Sequence, residues 1–260
     1  MASGGHHLAG RDPALTFGEI ASAYDRHRPG YPHALYDDLL TLTSPVDRVL
    51  EVGAGTGKAT VTLAQRGIPV VALEPDAAMA AVARRRCDGL PVEVRESRLE
   101  DWAGDVGSFG LVVAAQSWHW VNQTRGLAVA RRALRRDGAL AVWWNQAAEW
   151  SDRMRGVIDS VYARCAPDLT RSIVNRQVHD PDGGACAPLF EPLAVRSYRW
   201  IQRYDSASFA AMLQTHSDHR LLPPEQLGRL IEAVMSAVDE FAGGELAYPY
   251  RTDLHVFRRC

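Results

Sequence analysis

The sequence predicts an α/β protein: a doubly wound, mostly parallel sheet of seven strands with an antiparallel edge strand and a small helical cap. Three observations carry that expectation. From Asp47 onward, short β-branched runs alternate with longer stretches of helical periodicity, the pattern of a parallel sheet covered by helices. One of those strands runs without a gap into a glycine cluster and then a helix. The last third changes character, with two long, partly alternating strands joined by a long connection, as an antiparallel addition to a parallel sheet requires.

The elements follow in order. Residues 46–52 form the first strand, Pro69–Leu73 the second, Val92–Arg95 the third, Phe109–Ala115 the most apolar fourth and Leu140–Trp144 the fifth. Between them Lys58–Arg66, Ala77–Arg86 and Thr124–Arg136 place apolar residues three and four apart, giving helices with one face on the sheet. Gly67 and Gly138 stand where helices should stop. Leu193–Tyr204 and Glu245–Arg258 are the late strands, separated by Ser206–Gln214 and by a helix opened by Pro223-Pro224-Glu225 and closed by Gly243-Gly244. The chain thus divides into an N-terminal helical segment (1–46), a core (47–146), a helical cap or insertion (147–192) containing the loop Asp180–Gly184, and C-terminal strands and helices completing sheet and pocket (193–260).

Composition narrows the function. A chain of 260 residues with 47% hydrophobic and 23% charged residues buries a sizeable core as an ordinary globule. Its 29 basic and 31 acidic residues leave a net charge of -2, without the positive excess that holds a phosphate backbone, so a small molecule rather than nucleic acid is the expected partner. Lys58 is the sole lysine among the basic residues. Cys87, Cys165, Cys186 and Cys260 have no paired spacing, which fits neither a zinc site nor a disulfide framework; no metal is expected, and a reducing cytoplasm is the expected location. Met1–Asp12 has neither the basic flank nor the apolar run of a leader. The longest apolar stretches, Leu111–Ala115 and Ala139–Trp144, fall far short of the roughly 20 residues that span a bilayer.

The strongest local signal is Glu51-Val52-Gly53-Ala54-Gly55-Thr56-Gly57 between strand and helix. Glycines let the chain turn tightly and let a ligand lie against it, while the helix N-terminus offers unpaired N–H groups to an anionic end. Lys58 stands where a dinucleotide fingerprint has its third glycine, and Glu51 repels a pyrophosphate but suits an ammonium group. Glu74, closing the second strand, can accept both hydroxyls of a ribose, which serves either NAD or S-adenosylmethionine. A phosphate-binding P-loop is excluded because Gly57-Lys58-Ala59 lacks the Ser or Thr that holds magnesium.

With these residues the chain resembles the class I S-adenosylmethionine-dependent methyltransferases, in the small-molecule branch called methyltransferase type eleven, from about Phe17 to Asn145 and weakly again near the C-terminus. The resemblance implies a Rossmann-like sheet with S-adenosylmethionine as cofactor. Residues 51–57 match the family's first motif, implying contacts by Glu51, Gly53, Ala54, Gly55 and Gly57. Glu74-Pro75-Asp76 with Met79 matches the second, implying ribose contact by Glu74 beside Pro75 and packing of Met79 on adenine. The third matches Ser97-Arg98-Leu99-Glu100-Asp101-Trp102, with backbone groups near Leu99 at the adenine edge; many relatives carry Asp where this chain has Arg98, so Asp101 or a backbone carbonyl takes the adenine amino group instead. The fourth runs from Phe109 through Ala115 and Gln116 to Ser117-Trp118-His119-Trp120. In Tyr24-Asp25-Arg26-His27-Arg28-Pro29-Gly30-Tyr31-Pro32 the resemblance implies a helix closing over the cofactor, with Tyr24 and Arg28 as candidates for its carboxylate.

Open α/β sheets bind ligands beyond the carboxyl ends of their strands, so Gln116 to Trp120 should face the transferred methyl. Methyl transfer is an in-line displacement, for which the enzyme mainly aligns the reactants and adds a base only when the nucleophile carries a proton. His119 is the first candidate base, with His216 and Tyr250 as further candidates in the elements that wall the pocket. Trp118, Trp120, Trp143, Trp144, Trp150 and Trp200 can line an apolar acceptor pocket, although most of them belong to a core. The fourth strand does not end in the Asn/Asp-Pro-Pro-aromatic signature of amino-group methylation, and no Pro-Cys pair for cytosine C5 chemistry occurs. A nicotinamide-dependent oxidoreductase and a cofactor-binding homologue without turnover are the competing readings.

Overall fold

A computed structural model describes residues 21–148, 152–169 and 189–260. The N-terminal stretch through Asp12, the start of the resemblance at Phe17, Trp150, the loop Asp180–Gly184 and Cys186 lie outside them. Helices α1 (Ala21–His27) and α2 (His33–Thr43) precede β1 (Val49–Val52), α3 (Lys58–Ala64), β2 (Val70–Leu73), α4 (Ala77–Arg86), β3 (Val92–Arg95), β4 (Phe109–Ala115), α5 (Gln123–Ala133) and β5 (Leu134–Ala147). Then come α6 (Asp152–Cys165), β6 (Phe190–Asp205), α7 (Ser206–Gln214), α8 (Pro224–Ala242) and β7 (Glu245–Arg259).

The seven strands form one sheet in the order β3-β2-β1-β4-β5-β7-β6. β1 to β5 pair in parallel, and β7 runs antiparallel to both of its neighbours. The late pair therefore builds one side of the sheet, with the antiparallel strand second from the edge and β6 outermost. β1 and β2 are buried on both faces because helices cover both faces, and all of their residues but Glu51 are apolar. Leu50, Val52, Val112 and Ala114 pack in a cluster with Leu127 and Ala130 of α5, while Val49, Leu111 and Val113 share another with Leu35, Leu39 and Leu63 of α2 and α3. Each of the buried valine and leucine side chains among these contributes about 1.5–3 kcal/mol. β3 stands at the far edge and only half-buries Val92 and Val94.

One expectation about the helices changes. Gly138 does not end a helix: α5 stops at Ala133 and β5 begins at Leu134. The register jumps from Phe109↔Leu134 to Leu111↔Ala139, so the intervening residues bulge out of the ladder. A side chain at Gly138 would come within 3.1 Å of the Phe109 carbonyl oxygen, so the glycine marks a close backbone approach. The described part of the 147–192 segment is chiefly α6, which buries Ile158, Val161 and Tyr162 in a cluster with Leu230, Ile231 and Val234 of α8. This helix belongs to a second, C-terminal core.

Candidate functional site

The glycine-rich turn after β1 is shaped by its neighbours. Gly53 takes φ +66°, and a Cβ there would lie 2.5 Å from the Cβ of Ser117, whose hydroxyl donates to the Val52 carbonyl. Gly57 takes φ +82° and caps α3, packed against Ala83 and Cys87 of α4. Both glycines are needed, one for close approach and both for the left-handed backbone.

Acidic side chains hold the same turn from behind. Glu74 accepts the Gly55 N–H on Oε2 at 2.7 Å and the Asp76 N–H on Oε1 at 2.9 Å, bolting the loop after β1 to the loop after β2. Asp76 caps α4 by accepting from the N–H groups of Ala78 and Met79. Glu51 is 1% exposed; its Oε2 accepts from Thr60 Oγ1 at 2.6 Å, and no basic side chain pairs with it among the described residues. Burial, reinforced by Glu74, pushes the Glu51 carboxyl up to about 8 against that hydrogen bond. Burial also raises Glu74 to about 7, although its two backbone donors pull the other way.

These groups open on one cleft at the carboxyl ends of β1, β2 and β4, with about 960 Å³ of space including its mouth. Glu51, Gly53, Ala54 and Gly55 form its floor, and Glu74, Pro75 and Met79 one wall. Arg98, Leu99 and Glu100 form another, and Ala115 with Gln116 faces them. Tyr24 reaches in from α1. Gln116 has φ +61°, the one left-handed non-glycine backbone among the described residues; its N–H donates to the Trp143 carbonyl at 2.9 Å and its Nε2 to the Asn145 carbonyl at 3.4 Å. Strain of that kind persists where the surroundings fix it, here at the mouth of β4.

Other sequence candidates fall away from the cleft lining. Arg28 is spent on Thr215, donating from Nε to Oγ1 at 2.7 Å and from Nη2 to the carbonyl at 3.1 Å. Gly57 acts through the backbone behind the floor. His119 is exposed, its ring tilted by 46° against Trp120 at 4.7 Å, and its Nδ1 accepts from Trp144 Nε1 at 3.3 Å. With Nδ1 engaged, the neutral ring carries its proton on Nε2, so that atom is a donor rather than a base. Tyr250 is 7% exposed, stacked on Trp200 at 4.9 Å and hydrogen-bonded to the Tyr204 hydroxyl at 3.2 Å; burial raises its phenol well above the ordinary range. His216 meets Met212 Sδ at 3.2 Å in the turn after α7. Asp101 is exposed and does not line the cleft. Of the tryptophans, Trp118, Trp143 and Trp144 are core, whereas Trp120 lines the cleft at 40% exposure.

The site also holds residues without an assigned role in the sequence. Tyr31 lines the cleft with its ring edge-on to Trp143 at 5.7 Å. Lys58 donates from Nζ to the Asp25 carbonyl at 2.7 Å, and Arg86 forms an ion pair with the Asp25 carboxylate, so α1 is clasped to α3 and α4. Burial pushes the Lys58 ammonium down to about 8 despite the pull of Asp25. The available signal was its being the sole lysine.

Comparison with known proteins agrees with this geometry. A family model described as a methyltransferase domain matches residues 49–138, a near variant of the type eleven branch. An uncharacterised methyltransferase of Mycobacterium tuberculosis is 41% identical over 197 residues, covering 72% of this chain and 79% of the relative. A probable S-adenosylmethionine-dependent methyltransferase of Saccharomyces cerevisiae is 26% identical over 135 residues, covering 50% of this chain and 46% of the relative. Among solved structures, a protein provisionally described as a type II methyltransferase from Anaeromyxobacter dehalogenans shares the fold, with a TM-score of 0.61, 23% identity and coverage of 89% of this chain and 96% of that one. No helix among the described residues is long and apolar enough to cross a membrane. The glycine turn, the paired acids behind it and the long match to a methyltransferase sequence place this chain in the class I S-adenosylmethionine-dependent methyltransferases.

Proposed function

We propose that the chain methylates a small molecule that enters the cleft at the carboxyl end of β4, beside Gln116 and Trp120. The observation that carries this reading is Glu51: a buried carboxyl without a basic partner, at the floor of a concave cleft, suits a ligand that brings its own cation. S-adenosylmethionine fits these residues, with its ammonium at Glu51, its ribose hydroxyls at Glu74 and its adenine between Met79 and the backbone at Leu99. When bound, it supplies a sulfonium-activated methyl group.

The chain's own residues orient and enclose. Gly53 and Gly55 keep the floor clear of side chains. Each Glu74 oxygen uses one lone pair on a backbone N–H and retains another for a hydroxyl. The described part of the N-terminal segment closes over the cofactor through α1, with Tyr24 facing inward and the Lys58–Asp25–Arg86 clasp holding the helix down. The described elements of the 193–260 segment, β6, α7, α8 and β7, complete the sheet beyond β5 and would wall the acceptor side. A base at the acceptor is required only if the nucleophile carries a proton.

Calorimetric titration tests the cofactor: S-adenosylhomocysteine is expected to bind at micromolar concentration or tighter and NAD(H) not at all, and the reverse would overturn the assignment. Glu74→Ala removes two charge-assisted hydrogen bonds of about 1.5–3 kcal/mol each, so affinity should fall on the order of a hundredfold or more. Unchanged affinity removes Glu74 from the ribose site. For the acceptor, labelled methyl from S-adenosylmethionine should enter the low-molecular-mass filtrate of a cell extract; label confined to the macromolecular fraction would refute a small-molecule acceptor.

A further inference from the structure

The turn after α7 gathers metal-binding side chains that the methyl-transfer chemistry does not use. His216, Asp218 and His219 each offer a ligand atom, all within 4.8 Å of one another, and none of the three lines the cleft. We propose that they bind one divalent transition-metal ion of the zinc class. The expectation of no metal rested on the scattered cysteines and did not weigh this His-x-Asp-His spacing.

The distances fit one ion. With bonds of about 2.0–2.1 Å, ligand atoms around a metal stand from about 2.9 Å apart at a right angle to about 4.2 Å across it. Asp218 Oδ1 and His219 Nδ1 are hydrogen-bonded at 2.8 Å, within about 0.1 Å of the right-angle spacing, and the ion would replace the proton between them. The rest of the triangle closes by side-chain adjustments of less than about 1 Å.

The surroundings hold the ligands as a metal site needs. His219 is 2% exposed, and its Nε2 lies 2.7 Å from the Tyr162 hydroxyl of α6. With Nδ1 on the ion in place of its proton, the proton moves to Nε2, which then donates to that phenol and so fixes the tautomer and the ring plane. Asp218 Oδ1 also accepts the His219 backbone N–H at 2.9 Å, so the carboxylate is oriented by the turn itself. His216 is steadied by Met212 Sδ.

Two imidazoles and one carboxylate suit zinc, cobalt or nickel, whereas calcium and magnesium call for more oxygen ligands. Three protein ligands leave a position for water or an exogenous ligand. The ion would brace the turn that begins at Thr215, on which Arg28 and hence the end of α1 rest.

The test is zinc titration of the whole chelator-treated chain by calorimetry, with cobalt(II) absorption as a second readout. The His216→Ala/Asp218→Asn double variant separates this site from the other histidines, which include His6 and His7. The wild type should take up one equivalent of zinc at least a hundredfold more tightly than the double variant and show visible cobalt bands that the variant lacks. Tyr162→Phe should weaken binding about 10–100-fold while keeping the stoichiometry. Should the double variant fail to fold, the single variant His216→Ala, at a half-buried position, takes its place in the comparison, and equal binding by it overturns the site. Absence of a stoichiometric equivalent in the wild type, or equal binding by a folded double variant, overturns the site.

Discussion

Gly53→Ala should abolish tight S-adenosylhomocysteine binding and lower the melting temperature by roughly 5–15 °C. Two costs add. An L residue at φ +66° is strained by about 1–2 kcal/mol, and the new methyl would sit 2.5 Å from the Ser117 Cβ, an overlap that forces shifts costing about 1–3 kcal/mol. Ser117 cannot retreat easily, because its hydroxyl is bonded to the Val52 carbonyl and it follows the strained Gln116. The double variant Gly53→Ala/Ser117→Gly separates the terms: it should recover the steric part and leave the backbone part. Wild-type melting and affinity in the single variant would show that the floor of the cleft tolerates a side chain.

The second large effect is a pH dependence set by Glu51. Its folded value of about 8 lies above the ordinary 4.5, so between those values the unfolded chain gives up a proton that the unliganded fold retains. Stability of the unliganded protein therefore falls as pH rises across that window, on the order of a few kcal/mol from this group. Glu74 acts with the same sign up to about 7. Glu51→Gln keeps an acceptor for Thr60 but cannot ionise, so the unliganded variant should be markedly more stable than the wild type at pH 8 and similar at pH 4.5. The same variant should bind S-adenosylhomocysteine more weakly, since the partner of the ammonium is gone. Denaturant melts from pH 4.5 to 8.5 check the first statement; parallel curves for the two proteins would mean that Glu51 is already ionised in the unliganded fold. Because the ligand's cation favours the carboxylate, binding near pH 7 should release a proton, visible as a dependence of the calorimetric heat on buffer ionisation enthalpy.

Much of the fold was legible because its signals are local. β3, β4 and α4 fall at the residues expected from strand and helix periodicity: β4, buried on both faces, is continuously apolar, whereas the edge strand β3 alternates. The start of β5 was not, because the bulge at residues 135–138 depends on pairing with β4 and polar Arg and Asp residues disguise the strand. The place of β7 between β5 and β6 was equally hidden, since strand order is a long-range choice. The cleft follows the same division. Its floor and the Glu74 wall are written in contiguous motifs, whereas the fates of Arg28, His119 and Tyr250 turn on partners distant in sequence: Thr215, Trp144 and Trp200. Lys58 and Tyr31 join the site only through the way α1 and the loop after it fold back.

The placement of β7 has a consequence for how the chain is made. β6 is synthesised first but pairs in the sheet only through β7, along a ladder from Phe190↔Arg259 to Asp205↔Glu245. Until the final strand has left the ribosome, β5 presents an open apolar edge and β6 has no sheet to join. Nascent chains stalled before Glu245 should therefore contain a five-stranded nucleus with a sticky border, the state in which this protein is most exposed to aggregation and most in need of a chaperone.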